Sequence, residues 1–169
     1  RLRKLYQIKS QTHIYNRGLI LNAKSIFLCG GQSYDQDSDN PRVLYNRITR
    51  LNLDEDPRSE YFETDLSIDL NEKACACVAT QDDHYIYVCA KEDPKFLDVF
   101  TIDGVFKYAM DIPARPENTL VHLNLIKIKN KNYILFTNYP RLIESDKGFR
   151  KITYDLYDIE ARKFKEGNL

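Results

Sequence analysis

The chain lacks net charge: 25 Lys and Arg are balanced by 25 Asp and Glu, interspersed along 169 residues. Without a basic field, nothing is available to hold a phosphate backbone or an anionic membrane surface, which speaks against general nucleic-acid binding. Long apolar runs are also missing. None approaches the roughly 20 residues needed to cross a bilayer, and no signal-like segment follows the basic start Arg1-Leu2-Arg3-Lys4. The expectation is a soluble chain with no membrane insertion. Cysteine is sparse, and all four residues, Cys29, Cys75, Cys77 and Cys89, fall inside predicted strands. A disulfide-stapled secreted scaffold would place them in loops, so buried thiols are expected. None of the 12 asparagines begins an Asn-x-Ser/Thr sequon, in keeping with a cytoplasmic address.

Catalytic signatures are missing as well. His13, His84 and His122 are scattered, and no Ser or Cys sits at a nucleophile elbow, so no triad can be assembled. Gly30-Gly31 runs into Gln32-Ser33-Tyr34 rather than Lys-Ser/Thr, which removes the phosphate loop and, with it, ATP or dinucleotide binding. No cofactor is expected.

What is present is strand. With 43% hydrophobic and 12% aromatic residues the chain is an ordered one, long enough for one domain with a sizeable core. A unit of four short strands recurs over roughly 19–66, 74–112 and 121–166, with a partial unit, a strand pair, over 1–16. Each unit opens on an apolar hairpin: Leu19-Ile20-Leu21 with Ile26 to Cys29, Ala74 to Val78 with Tyr85 to Val88, and Leu123 to Ile126 with Tyr133 to Phe136. Third strands align as Thr49 to Leu53, Asp98 to Ile102 and Asp155 to Ile159, with apolar residues alternating as in half-buried strands. Fourth strands are expected at Glu60 to Thr64, Val105 to Tyr108 and Arg162 to Lys165, the second reached through a type I′ turn at Asp103-Gly104. Leu66 to Lys73 and Asp111 to Pro116 read as connections, and Asn138-Tyr139-Pro140 as the opening of a loop. Asp158 to Arg162 is a turn rather than a helix.

Four-stranded units that must stack to bury their faces resemble the blades of a β-propeller. In the first unit Gly30-Gly31 follows the apolar strand Ile26 to Cys29, and a loop leads to Tyr45 and Ile48 to Leu53, which resembles a kelch repeat. Tyr61 or Phe62 would stand in for that repeat's fourth-strand tryptophan, because the chain has no Trp. Phe96 to Phe106 looks more like an NHL blade. WD signatures are missing, since neither Gly-His nor Trp-Asp occurs. The fold class is therefore all-β, a propeller or a segment of about three four-stranded antiparallel blades plus an N-terminal strand pair. Because the chain starts at Arg1 on a predicted strand, it reads as processed or as a piece of a larger protein.

The resemblance implies a binding scaffold, and loop residues are candidates for contact. Tyr and Arg dominate interface hot spots, and Tyr34, Arg42, Tyr45, Arg47, Arg115, Tyr139 and Arg141 lie in or beside the expected loops. The expected partners are proteins, among them the remaining blades of the same protein. The same tyrosines could equally fill contacts between blades. The alternative is a propeller-class hydrolase, a glycosidase or lactonase, with Asp37, Asp39 and Glu92 gathered at the central opening. Asp35, Asp37 and Asp39 alternate as calcium ligands do, but Asn40 and Asn46 occupy the positions where an EF-hand has Gly and Glu, so a solvated acidic loop is the better reading. Cys75, Cys77 and Cys89 with His84 could be drawn as a zinc set. Cys-x-Cys within a strand is poor chelate geometry, and core packing is preferred.

Overall fold

The computed structural model describes residues 18–21, 24–34, 42–56, 58–61, 63–71, 77–91, 94–113, 119–140 and 152–165, which are all-β with no helix among them. Three four-stranded antiparallel sheets follow one another along the chain. The first consists of β1 (Gly18–Leu21), β2 (Ser25–Cys29), β5 (Arg47–Asn52) and β6 (Glu63–Asp69), with the hairpin β3 (Gln32–Tyr34) and β4 (Arg42–Leu44) inserted between β2 and β5. The second is β7 (Cys77–Gln81), β8 (Tyr85–Ala90), β9 (Phe96–Thr101) and β10 (Phe106–Asp111). The third is β11 (Thr119–Ile128), β12 (Lys131–Pro140), β13 (Thr153–Asp158) and β14 (Lys163–Phe164). Each sheet is a meander, and the first strands adjoin, with β7 beside both β1 and β11. This is the arrangement of a propeller-like segment, the fold class expected.

Alternation explains why the sheets stack. Ile86 and Val88 of β8 enter one core with Phe27, Cys29, Ile48 and Phe100, between the first and second sheets. Their neighbours Tyr87 and Cys89 enter the opposite core with Val99, Ile134, Phe136 and Tyr157, between the second and third. Successive side chains of a strand point to opposite faces, so a middle sheet covered on both sides must be apolar at consecutive positions. β8 and β9 are: Ile86 to Ala90 and Leu97 to Phe100 are all buried, with Asp98 the one polar side chain among them. Complete burial of each large apolar side chain contributes about 1.5–3 kcal/mol, so the two cores are the main adhesive between sheets.

Several expected boundaries move. The Asp103-Gly104 connection is not a type I′ turn, because Gly104 has φ 87 while Asp103 is not among the residues with positive φ. Gly104 N–H donates to Thr101 O and Thr101 N–H to Val105 O, both at 2.8 Å, giving a three-residue loop whose single left-handed position falls on glycine. The two-residue turn with both φ positive is instead Lys129-Asn130 (φ 46 and 66), joining β11 to β12. The fourth strand of the first sheet starts at Glu63, not Glu60. Tyr61 sits in the preceding turn and is 67% exposed, and Leu66 to Asp69, expected as a connection, continue β6. Asn138-Tyr139-Pro140 complete β12 instead of opening a loop, with Pro140 opposite Thr119 at the strand end, where its missing N–H matters least. Ile102 leaves β9 for the turn and is 38% exposed although Phe100 is buried. In the second unit β7 begins at Cys77 and runs to Gln81, while residues 74–76, the strand pair expected over 1–16 and Phe62 lie outside the described residues. The Asp158 to Arg162 turn is present, closed by Ala161 N–H on the Asp158 carboxylate at 2.9 Å.

Candidate functional site

In such meanders the connections from second to third strand emerge at one end of the stack, and the turns from first to second and third to fourth at the other. Tyr34, Arg42, Tyr45 and Arg47 all belong to the second-to-third connection of the first sheet, and Tyr139 to the end of β12 that leads into the same connection of the third. Tyr34 and Arg42 are register partners near the tip of β3 and β4, Tyr45 is half-buried, and Arg47 is exposed at the start of β5. The topology thus brings these five to one end. Arg115 and Arg141 lie outside the described residues, as do Asp35, Asp37, Asp39 and Glu92.

The base of this inserted hairpin is firmly built. Gly30 (φ 58) and Gly31 (φ 103) carry the chain out of β2 in the left-handed region that side chains disfavour. A Cβ on Gly30 would collide with the Cys77 thiol of the next sheet. Gly30 N–H donates to Arg47 O and Tyr45 N–H to Gly31 O, both at 2.9 Å, and Leu70 N–H donates to Asn46 O. The paired glycines therefore permit both the turn and the close approach of the second sheet.

The cysteines do not converge. Cys77 joins the core between the first and second sheets and Cys89 the core on the opposite face, since Cys89 lies across from Val78 rather than Cys77. Among the described residues no group of three or more His, Cys, Asp or Glu is placed to hold a metal. Cys75 is outside the described residues; Cys29, Cys77 and Cys89 pack in the cores.

The opposite end of the stack holds a feature that no sequence motif announced, a groove of about 560 Å³ between the first and second sheets. Ser25, Phe27, Arg50 and Asn52 lie on one face of the first sheet, Phe27 opposite Arg50 and Ser25 opposite Asn52 in register. Deeper in, that face is the dry core of Phe27, Cys29 and Ile48 against Ile86 and Phe100. Toward the turns the same alternation delivers Arg50, Asn52, Ser25 and, from the second sheet, Gln81, which leave the sheets apart. Between the second and third sheets the corresponding end is filled with aromatics. Tyr108 and Tyr157 hydroxyls meet at 3.3 Å, Phe164 packs on Tyr157 at 5.4 Å, and Arg162 stands 4.7 Å over Tyr108.

Asp54, Asp82, Asp83 and Asp103 face Lys24 and Arg50 around the groove. Asp82 is committed internally: one oxygen accepts from His84 N–H and Tyr85 N–H at 2.8 and 2.7 Å, the other from Tyr87 Oη at 2.7 Å. Lys24 reaches Asp54 at 3.9 Å, an exposed pair of little energetic weight. Arg50 Nε is sealed from solvent and meets no acceptor among the described residues.

A second polar element couples the first two sheets. Asp98, buried in β9, accepts from Asn71 N–H at 2.7 Å and from Asn71 Nδ2 at 2.5 Å, where the chain has just left β6. Burial pushes its carboxyl above the ordinary range, and the two Asn71 bonds only partly offset this. Burial also raises the Tyr87 and Tyr157 phenols, assisted by hydrogen bonds to Asp82 and Tyr108 respectively. None of these groups faces another in a donor, base and nucleophile arrangement; each is part of the packing.

No helix of the described residues is long and apolar enough to cross a membrane. The chain matches no protein-family model and no curated protein sequence.

Proposed function

We propose that this chain is a non-catalytic, propeller-like scaffold that presents its second-to-third-strand end to a protein partner, in cytoplasm. The observation that carries this reading is the inserted β3 and β4 hairpin, whose base is closed by backbone hydrogen bonds at Gly30, Gly31 and Arg47 and locked against Cys77 of the next sheet. A closed base holds Tyr45 and Arg47 at the root of the hairpin before binding, which reduces the ordering cost that otherwise erodes affinity. Tyr and Arg supply the anchoring chemistry of interface hot spots. The glycine pair in left-handed geometry also supports a kelch-like reading of the first sheet.

The test is affinity capture with the wild-type chain and with the Tyr45→Ser/Arg47→Glu variant, each checked for an unchanged unfolding midpoint. Stoichiometric retention of a partner by the wild type, lost by the variant, supports the reading. Equal retention by both, or hydrolysis of glycoside or lactone substrates by the wild type, overturns it.

A further inference from the structure

The geometry points to a second site, at the other end of the stack from the hairpin: the groove between the first and second sheets binds a basic amino-acid unit through its carboxylate and its cationic side chain, either as the free amino acid or as the C-terminal residue of a peptide. The groove's volume, about 560 Å³, lies in the range of small-ligand sites. Arg50 lines it. Arg50 Nε is buried with no acceptor among the described residues, and leaving such a group unpaired is costly, more so for a charged one. A carboxylate is the natural complement to a guanidinium, because its two oxygens match the planar fork of N–H groups.

The rim asks for the opposite charge. Four carboxylates stand against two cations, so an anion alone would be repelled. Asp82 is consumed by its own hydrogen bonds and Asp54 is paired with Lys24. Asp83 and Asp103 remain exposed on the two turns of the second sheet, with Ile102 beside them, 38% exposed. A ligand that brings one carboxylate to Arg50 and a guanidinium or ammonium on an aliphatic stem across Ile102 to Asp83 and Asp103 meets every one of these features. Its cationic end meets the carboxylate excess of the rim while its carboxylate goes to Arg50. Arg50 is the recognition residue for the carboxylate and the two aspartates for the cation.

The experiment is amide chemical-shift mapping and calorimetry on the whole chain with L-arginine, N-acetylglycyl-L-arginine and argininamide. Binding of either of the first two, with shifts centred on residues 24–27, 50–54, 81–83 and 102–103, and binding of argininamide weaker by about tenfold or more, supports the site. Free arginine alone binding identifies the amino acid as the source, and the acetylated dipeptide alone binding identifies a peptide C-terminus. Arg50→Met should lose the preference for the carboxylate while unfolding at the same or a higher temperature, because it removes the unmet donor. Asp83→Asn/Asp103→Asn, both on exposed turns, should weaken arginine binding and spare the fold. No binding of either carboxylate ligand at millimolar concentration, equal binding of argininamide, or shifts confined to the hairpin end overturns the proposal.

Discussion

Replacing Gly30 by alanine should damage this fold at one identifiable contact. Gly30 has φ 58, and an added Cβ would run into Cys77 Sγ on the neighbouring sheet. The left-handed conformation costs a residue with a Cβ about 1–2 kcal/mol, and forcing an extra carbon into a filled interface costs about 1–3 kcal/mol. Together they predict a loss of roughly 2–5 kcal/mol, or several degrees in midpoint at about 2–4 °C per kcal/mol for a chain of this size. The two terms separate in a double-mutant cycle. Cys77→Ala removes the colliding sulfur and leaves Cβ of residue 77 at 3.3 Å, so the double variant should be more stable than the summed single effects by about 1–3 kcal/mol, the backbone term persisting. Urea unfolding followed by far-ultraviolet circular dichroism suits the measurement, since the chain has no tryptophan. Gly30→Ala losing under about 1 kcal/mol, or a cycle additive within about 0.5 kcal/mol, would refute the contact.

Asp98 titrates higher in the folded state because burial dominates over the Asn71 bonds. The native state then holds this proton more tightly, so its contribution to stability is complete below the ordinary value of 3.8 and is lost as pH rises through the folded value; unfolding free energy against pH should decline less for Asp98→Asn than for wild type across that window, and parallel curves would contradict the assignment. Tyr87 and Tyr157 are raised above the ordinary 10, burial first and their hydrogen bonds second. Stability should fall as pH climbs past 10, where the unfolded chain loses phenolic protons that the native state keeps; these two should ionise only with unfolding when phenolate absorbance is followed, and Tyr87→Phe with Tyr157→Phe should remove that late step. Lys129→Asn/Asn130→Gly places the preferred pair in the type I′ turn at φ 46 and 66 and should stabilise the chain by about 0.5–1 kcal/mol in the same urea assay; a loss of stability would show that the turn is not of that type.

The meander was legible because the signals that specify it are local. The continuous apolar stretch of β8 and the glycine pair after β2 each announce their state within a few residues, whereas Leu53, Ile102 and Ile159, the alternating partners expected in the third strands, fall in the turns that follow them. Boundaries failed where a longer-range partner decided. Glu60 to Thr64 looked like strand, yet the turn before Glu63 keeps Tyr61 in solvent while β6 runs on past a register shift to Asp69, which pairs with Arg47. Asn138-Tyr139-Pro140 carries turn chemistry, yet Leu120 and Thr119 across the ladder extend β12 to its last residue. Asp103-Gly104 was placed correctly as a turn, but a three-residue loop needs only one positive φ, and both two-residue and three-residue closures fit the same dipeptide.

The sites divide in the same way. That Tyr34, Arg42, Tyr45 and Arg47 share a connection follows from their order in the chain; that Tyr139 belongs to the same end of the stack follows from topology. The amino-acid sequence by itself determined the all-β class, the four-stranded rhythm and the burial of cysteine, because alternation and side-chain volume are properties of a strand taken alone. Only the tertiary structure decided that Cys77 and Cys89 serve opposite cores, that Gly30 must lack a side chain because Cys77 is there, and that Arg50 and Asp103, 53 positions apart in the sequence, line one groove. These depend on which faces of two different sheets meet, and no short-range pattern carries that pairing.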